Sequence, residues 1–173
     1  MEEILRKQNA KGNNMNSEIA TFGAGCFWHV EAEFCKVKGV TKTTVGYMGG
    51  KMKNPHYENV CTHQTGHAEV VQVEFDSSIV SYEDLLEIFF KMHDPTSLNK
   101  QGPDIGNQYR SVIFYHSEER KKEALEMKEK LGKSGKFNRP IVTEISKAST
   151  FYPAEEYHQK YLMKNGMRGC SIN

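Results

Sequence analysis

Four β-branched or alternating runs, at 19–23, 40–47, 68–75 and 111–115, are the strand candidates of this chain. Helical apolar spacing follows the first and the third, giving the order β-α-β-β-α-β. Two long loops rich in Gly, Asn and Pro, 48–67 and 94–109, interrupt that order. Together these observations predict an α+β fold: a ferredoxin-like (split βαβ) two-layer sandwich, with a mixed sheet and helices packed on it. Long functional loops and a flexible C-terminal tail complete the expected architecture.

The elements follow in order. Residues 1–17 are polar, and Lys11-Gly12-Asn13-Asn14 is a breaker, so they read as a loose leader in which Met15 is an alternative start. The catalytic domain is expected over 18–161. Its first strand passes through Gly25 into a helix over 27–36 carrying Val30, Phe34 and Val37 at helical spacing. After the strand 40–47 and a loop with room for a short turn comes the strand 68–75. Ser81 then opens a helix with Asp84 as its capping-box partner, and the stripe Leu85, Leu86, Phe89, Phe90 faces the core. Beyond the strand 111–115, the helix 117–133 carries Glu118–Lys122, Glu126–Lys130 and Glu129–Lys133 pairs, the mark of a solvated face. A further strand is expected at 141–145. Pro153 is placed to start a last short helix, and 162–173 form a tail containing Gly166 and Gly169.

Composition excludes several classes. The 173 residues suit one domain, and 23 basic against 22 acidic side chains leave a net charge of +1. No basic stripe exists, so nucleic acid and anionic membrane are not expected partners. No N-terminal apolar run or bilayer-length stretch is present. Four irregularly spaced cysteines without a Cys-x-x-Cys motif do not form a secreted disulfide framework. The expected compartment is the cytoplasm, where a cysteine pair is more often catalytic than structural.

Chemistry concentrates at Gly25-Cys26-Phe27-Trp28, a thiol on a glycine turn followed by the only tryptophan. A helix N-terminus favours an anion through its free N–H groups and dipole. A thiol of pKa about 8.5 is about 3 % ionised at pH 7, and lowering it to about 7 makes it roughly half ionised. The alternative is a buried structural cysteine; a reactive thiol is the favoured expectation. On the strand 68–75, Glu69 shares the parity of Val71, Val73 and Phe75, an apolar set. A carboxylate at a core margin is pushed toward its neutral form, as a general acid near pH 7 requires. Alternatively Glu69 precedes the sheet proper and reaches water. Tyr57 in the first long loop and Tyr109 near Asp104 in the second supply hydroxyls, unless they merely pack. With Phe27 and Trp28 these residues are expected to line a small apolar cage around one polar atom.

Six blocks carry a resemblance: Gly25-Cys26-Phe27-Trp28-His29-Val30-Glu31; Gly46-Tyr47-Met48-Gly49-Gly50 with Asn54-Pro55-His56-Tyr57; Thr65-Gly66-His67-Ala68-Glu69; His93-Asp94-Pro95; Gln101 through Gln108-Tyr109-Arg110-Ser111; and Phe151-Tyr152-Pro153-Ala154-Glu155-Glu156-Tyr157-His158-Gln159. In this order they resemble the peptide methionine sulfoxide reductase A family, from about residue 19 to about residue 170. The resemblance implies reduction of methionine S-sulfoxide, free or in proteins, without metal or organic cofactor. It makes Cys26 the nucleophile and has Phe27 and Trp28 hold the S-methyl group. Glu69, Tyr57 and Tyr109 act on the sulfoxide oxygen, and Asp104 orients the pocket. The resulting sulfenic acid condenses with a second thiol. The resemblance points to Cys170, in a tail able to span about 30 Å at roughly 3.3 Å per residue. Cys61 is the rival, and Cys35 reads as a core or surface thiol. Thioredoxin is the implied reductant. His29 stands where the family has glycine, a departure expected to bear on rate and thiolate pKa. Two other classes remain open from the residues: a zinc site from Cys61, His63 and His67, and a cysteine–histidine hydrolase.

Overall fold

The computed structural model describes residues 16–166. Most of the expected leader, and the tail beyond 166 with Cys170, lie outside the described residues. The elements are β1 (Ser17–Ala24), α1 (Phe27–Cys35), β2 (Val40–Met48), α2 (Tyr57–Val60), β3 (Ala68–Asp76), α3 (Tyr82–Lys91), β4 (Lys100–Gln101), β5 (Asp104–Ile105), β6 (Ser111–Tyr115), α4 (Glu118–Lys133), β7 (Glu144–Lys147), β8 (Tyr152–Pro153) and α5 (Tyr161–Lys164). Single 3-10 turns lie at Asn107–Tyr109 and Glu156–His158.

Six strands form one mixed sheet in the order β7-β6-β1-β3-β2-β8. The four central strands are mutually antiparallel, and β7 joins β6 in parallel. The helices α1 and α3 pack on one face, where Phe22 of β1 stacks on Phe34 at 5.0 Å and on Phe89 at 5.2 Å between ring centroids. On the other face Met48, Ala68, Val70, Val112 and Phe114 form a smaller cluster beneath Ala148 and Phe151. Val70 is therefore buried although it has the parity of the polar positions Gln72 and Glu74. Phe22→Ala should cost about 3–5 kcal/mol, the usual loss for a fully buried aromatic, read as a lower urea midpoint at unchanged slope.

Local signals read from the chain recur in the structure. Ser81 Oγ accepts from the Asp84 N–H at 3.0 Å while Asp84 Oδ2 accepts from the Ser81 N–H at 3.1 Å, a reciprocal capping box. Ser117 caps α4 by accepting from the Arg120 N–H, and Glu129–Lys133 closes at 2.7 Å. Two expectations shift. The strand expected at 141–145 forms at Glu144–Lys147, because the Val142 N–H bonds Pro95 O at 2.8 Å, outside the sheet. Pro153 does not start a helix: it pairs with Gly46 on the sheet edge, where a missing N–H is tolerated, and the helical turn begins at Glu156. Gln159 extends that edge, its side-chain amide accepting from the Val45 N–H and donating to Val45 O at 2.9 Å each. Among the described residues no helix is long and apolar enough to cross a membrane.

Candidate active site

Cys26 is the N-cap of α1. The turn that delivers it needs Gly25, whose φ is +93°; a Cβ there would stand 2.9 Å from Gln101 Cβ. The backbone N–H groups of Trp28 and His29 favour the thiolate, as a helix start should. They do not prevail. Burial, then the carboxylates of Glu69 and Asp104, push the Cys26 thiol up to about 12. The expected lowering of the thiol is therefore reversed, because desolvation, with Glu69 and Asp104 adding to it, outweighs a nine-residue helix terminus.

Glu69 lies inside β3, opposite Tyr47 of β2, and is 2 % exposed. Its parity thus has the meaning expected of it. Oε1 accepts from the Phe27 N–H at 3.3 Å, tying the carboxyl to the residue after Cys26. Oε2 is buried with no hydrogen-bond partner among the described residues. Burial pushes the carboxyl up to about 8, the Phe27 N–H opposing and Asp104 assisting. At neutral pH this group holds a proton.

Tyr57 opens α2 and Tyr109 ends the 3-10 turn after β5. Both phenols are held well above their ordinary range, first by burial, with Glu69 also acting on each. They therefore stay protonated and serve as donors. Tyr57 hydrogen-bonds Cys61, whose thiol is free and half-buried. Asp104, on β5, acts on Cys26, Glu69 and Tyr109. Its loop is held by Gly106 (φ +145°), where a Cβ would meet Gln108 Oε1 at 2.2 Å, and by the 2.7 Å contact of His63 Nδ1 with Gln108 Oε1. So Cys26, Glu69, Tyr57, Tyr109 and Asp104, drawn from separate elements, come together.

The two aromatic residues after the thiol part company. Phe27 is 1 % exposed and packs against Tyr47 and His158. Trp28 stays half-buried and stacks on Tyr161 at 3.8 Å and 11°. Its Nε1–H donates to His158 Nδ1 at 3.0 Å. Tyr47, Glu155, His158 and Tyr161 were not among the residues singled out for the site. Tyr47 was detectable as the inward position of β2 two after Val45, but pairing it with Glu69 requires the β2–β3 register. His29 is exposed. Cys35 is disulfide-bonded, not the plain core or surface thiol expected. Cys170 lies outside the described residues.

The alternatives lose ground on geometry. His67 uses both ring nitrogens, Nδ1 accepting from the Gly50 N–H and Nε2 bonding Met52 O at 2.7 Å, so it has no lone pair to offer zinc. A cysteine–histidine hydrolase requires a histidine placed as base beside the thiol, yet the side chains that act on Cys26 are the carboxyl groups of Glu69 and Asp104.

The peptide methionine sulfoxide reductase MsrA of Methanothermobacter thermautotrophicus is 62 % identical over 155 residues, covering 90 % of this chain and 92 % of that protein. The crystal structure of reduced Mxr1 from Saccharomyces cerevisiae superposes with a TM-score of 0.84 at 36 % identity, over 90 % of each chain. Mxr1 in complex with Trx2 gives a TM-score of 0.61 at 26 % identity, over 86 % of this chain and 87 % of that one. The family profile described as peptide methionine sulfoxide reductase matches residues 18–173. A thiol beside a protonated carboxyl, on a scaffold shared with these proteins and in a chain matched almost throughout, places this protein in the peptide methionine sulfoxide reductase family.

Proposed function

We propose that the protein reduces the S epimer of methionine sulfoxide, protein-bound or free, to methionine. One observation carries this reading: the buried carboxyl of Glu69 accepts from the N–H of Phe27, the residue next to Cys26, and acts directly on the Cys26 thiol. A sulfoxide sulfur becomes attackable only as its oxygen gains a proton, so a nucleophile and an acid must meet at one S=O bond. Glu69, with the Tyr57 and Tyr109 hydroxyls, donates to that oxygen. Cys26 attacks the sulfur as its own proton passes to the Glu69 carboxylate, and Asp104 orients the pocket. Phe27 and Trp28 hold the methyl end. Oxygen then moves to Cys26: a thiol and a sulfoxide become a sulfenic acid and a thioether, with the cysteine sulfur supplying the two electrons.

Once the Cys35 disulfide has been reduced to thiols, the sulfenic acid condenses with Cys170, forming an S–S bond and releasing water. A dithiol then returns both cysteines to thiols. Thioredoxin fits that role, supported by the relative Mxr1 having been crystallised with Trx2. Cys61, beside Tyr57, is the rival resolving thiol. The finer fold assignment is the ferredoxin-like split βαβ, supported by the β6-β1-β3-β2 order at the sheet centre. We extend the proposal to a catalytic domain over 18–161 between a leader and a resolving tail, working in the cytoplasm.

Incubation with separated R and S epimers under dithiothreitol tests the reaction. The S epimer alone should yield methionine, and one equivalent should remove two thiols from fully reduced protein. Equal use of the R epimer, or of neither, overturns the proposal. With thioredoxin as sole reductant, Cys170→Ser should release about one methionine per chain and stop. Unimpaired recycling by that variant would transfer the resolving role to Cys61 or to direct reduction.

A further inference from the structure

The only tryptophan of the chain is held at its N–H as well as at its ring face. An indole N–H is a donor only, so His158 Nδ1, 3.0 Å from Trp28 Nε1, accepts. That fixes the neutral tautomer with its proton on Nε2, which lies 3.4 Å from Glu155 Oε2. The imidazole is 1 % exposed, with centroids 4.5 Å from Tyr57, 4.1 Å from Tyr157 and 5.2 Å from Phe27. Glu155 is engaged in turn: Oε1 accepts from the Tyr57 N–H at 3.3 Å, and Oε2 accepts from the Tyr157 hydroxyl at 3.2 Å. One short segment, from Glu155 to Tyr161, therefore touches both the ring beside Cys26 and the backbone of Tyr57.

We infer that His158, seated by Glu155, is a positioning residue that sets the plane and rotamer of Trp28, and through it the grip on the methyl end of the sulfoxide. An indole stacked only on Tyr161 keeps the freedom to turn about its own normal. A hydrogen bond to its edge removes that freedom before substrate arrives, so the ring's ordering cost is met in folding and not in binding. Glu155 adds orientation: its carboxylate, 3.4 Å from Nε2 though outside hydrogen-bond geometry, draws the proton to that nitrogen, which leaves Nδ1 as the acceptor facing the indole. The assignment deepens the proposed sulfoxide reductase reading and rests on it.

The bond is tested first in the intact enzyme. In protein labelled with heavy nitrogen, the single indole N–H should show scalar coupling to the His158 Nδ1 nucleus through the hydrogen bond; a His158 found protonated at Nδ1 overturns the inference. The functional arm is a split between KM and kcat. His158→Leu should raise KM for the S-sulfoxide about three- to tenfold, the worth of one hydrogen bond, while kcat changes less than about twofold. His158→Asn, whose Oδ1 can replace Nδ1 as acceptor, should recover KM to within about twofold. In a Trp28→Phe background, which has no N–H to hold, His158→Leu should raise KM no further. A loss confined to kcat, no rescue by asparagine, or an equal KM increase without the indole each refutes a role through Trp28. Should the leucine variant not fold, the asparagine variant in both backgrounds decides. If the wild type reduces no sulfoxide, the proposed activity fails on its own, and the nitrogen coupling still reports the brace.

Discussion

Cys26→Ser should end turnover, lowering kcat/KM for the S-sulfoxide by more than about 10⁴-fold. The proposed step moves oxygen onto sulfur, and a serine hydroxyl has no corresponding oxidation state to accept it. Size is nearly conserved, and Cys26 is only a half-buried N-cap without a side-chain cap bond, so the fold should persist. The measurement is methionine released under dithiothreitol, alongside a urea unfolding curve. A native-like variant that still performs many turnovers would remove Cys26 from the mechanism. The serine variant should also lose no thiols when given one equivalent of sulfoxide.

Glu69→Gln should lower kcat/KM by about 10²- to 10⁴-fold, the usual contribution of a positioned acid. Glutamine keeps the contact with the Phe27 N–H and fills the same volume, but has no proton to transfer. The wild type carries a matching pH signature. With its carboxyl pushed up to about 8, Glu69 is an acid across neutral pH, so kcat/KM should fall as pH rises past that value. The glutamine variant should lack that descent. Stability follows from the same shift. The folded state keeps the Glu69 proton up to about pH 8, whereas the model carboxyl loses it near 4.5. Folded protein therefore binds more protons between these values, and stability is lost as pH rises through the window. Unfolding free energy should decline less steeply with pH in the variant. An unchanged pH–rate profile in Glu69→Gln would exclude Glu69 as the acid.

The parity of Glu69 with Val71, Val73 and Phe75 was legible because β3 is regular and period two survives without tertiary information. The capping box at Ser81 and Asp84 was legible for the same reason: its partners are three residues apart. Pro153 misled because its favoured helix position is a local preference, while pairing with Gly46 depends on a strand more than a hundred residues away. The Glu155–His158 brace had no local signal at all. Histidine and glutamate three apart on a surface turn look ordinary until Trp28 and Tyr57 arrive from elsewhere in the chain.

The amino-acid order by itself determined the placement of Cys26 at a strand-to-helix turn, the inward parity of Glu69, the sequence of main elements and the family resemblance. The first three rest on short-range geometry, namely helical spacing, strand alternation and the freedom of Gly25, and the resemblance rests on six motif blocks in order. Only the tertiary structure decided the protonation of the site. The helix start alone argues for a thiolate at Cys26, yet burial with Glu69 and Asp104 nearby holds it as a thiol, and burial with Asp104 nearby raises the Glu69 carboxyl into the range of an acid. Desolvation and charge proximity depend on what the folded chain brings within reach, which no one-dimensional spacing contains.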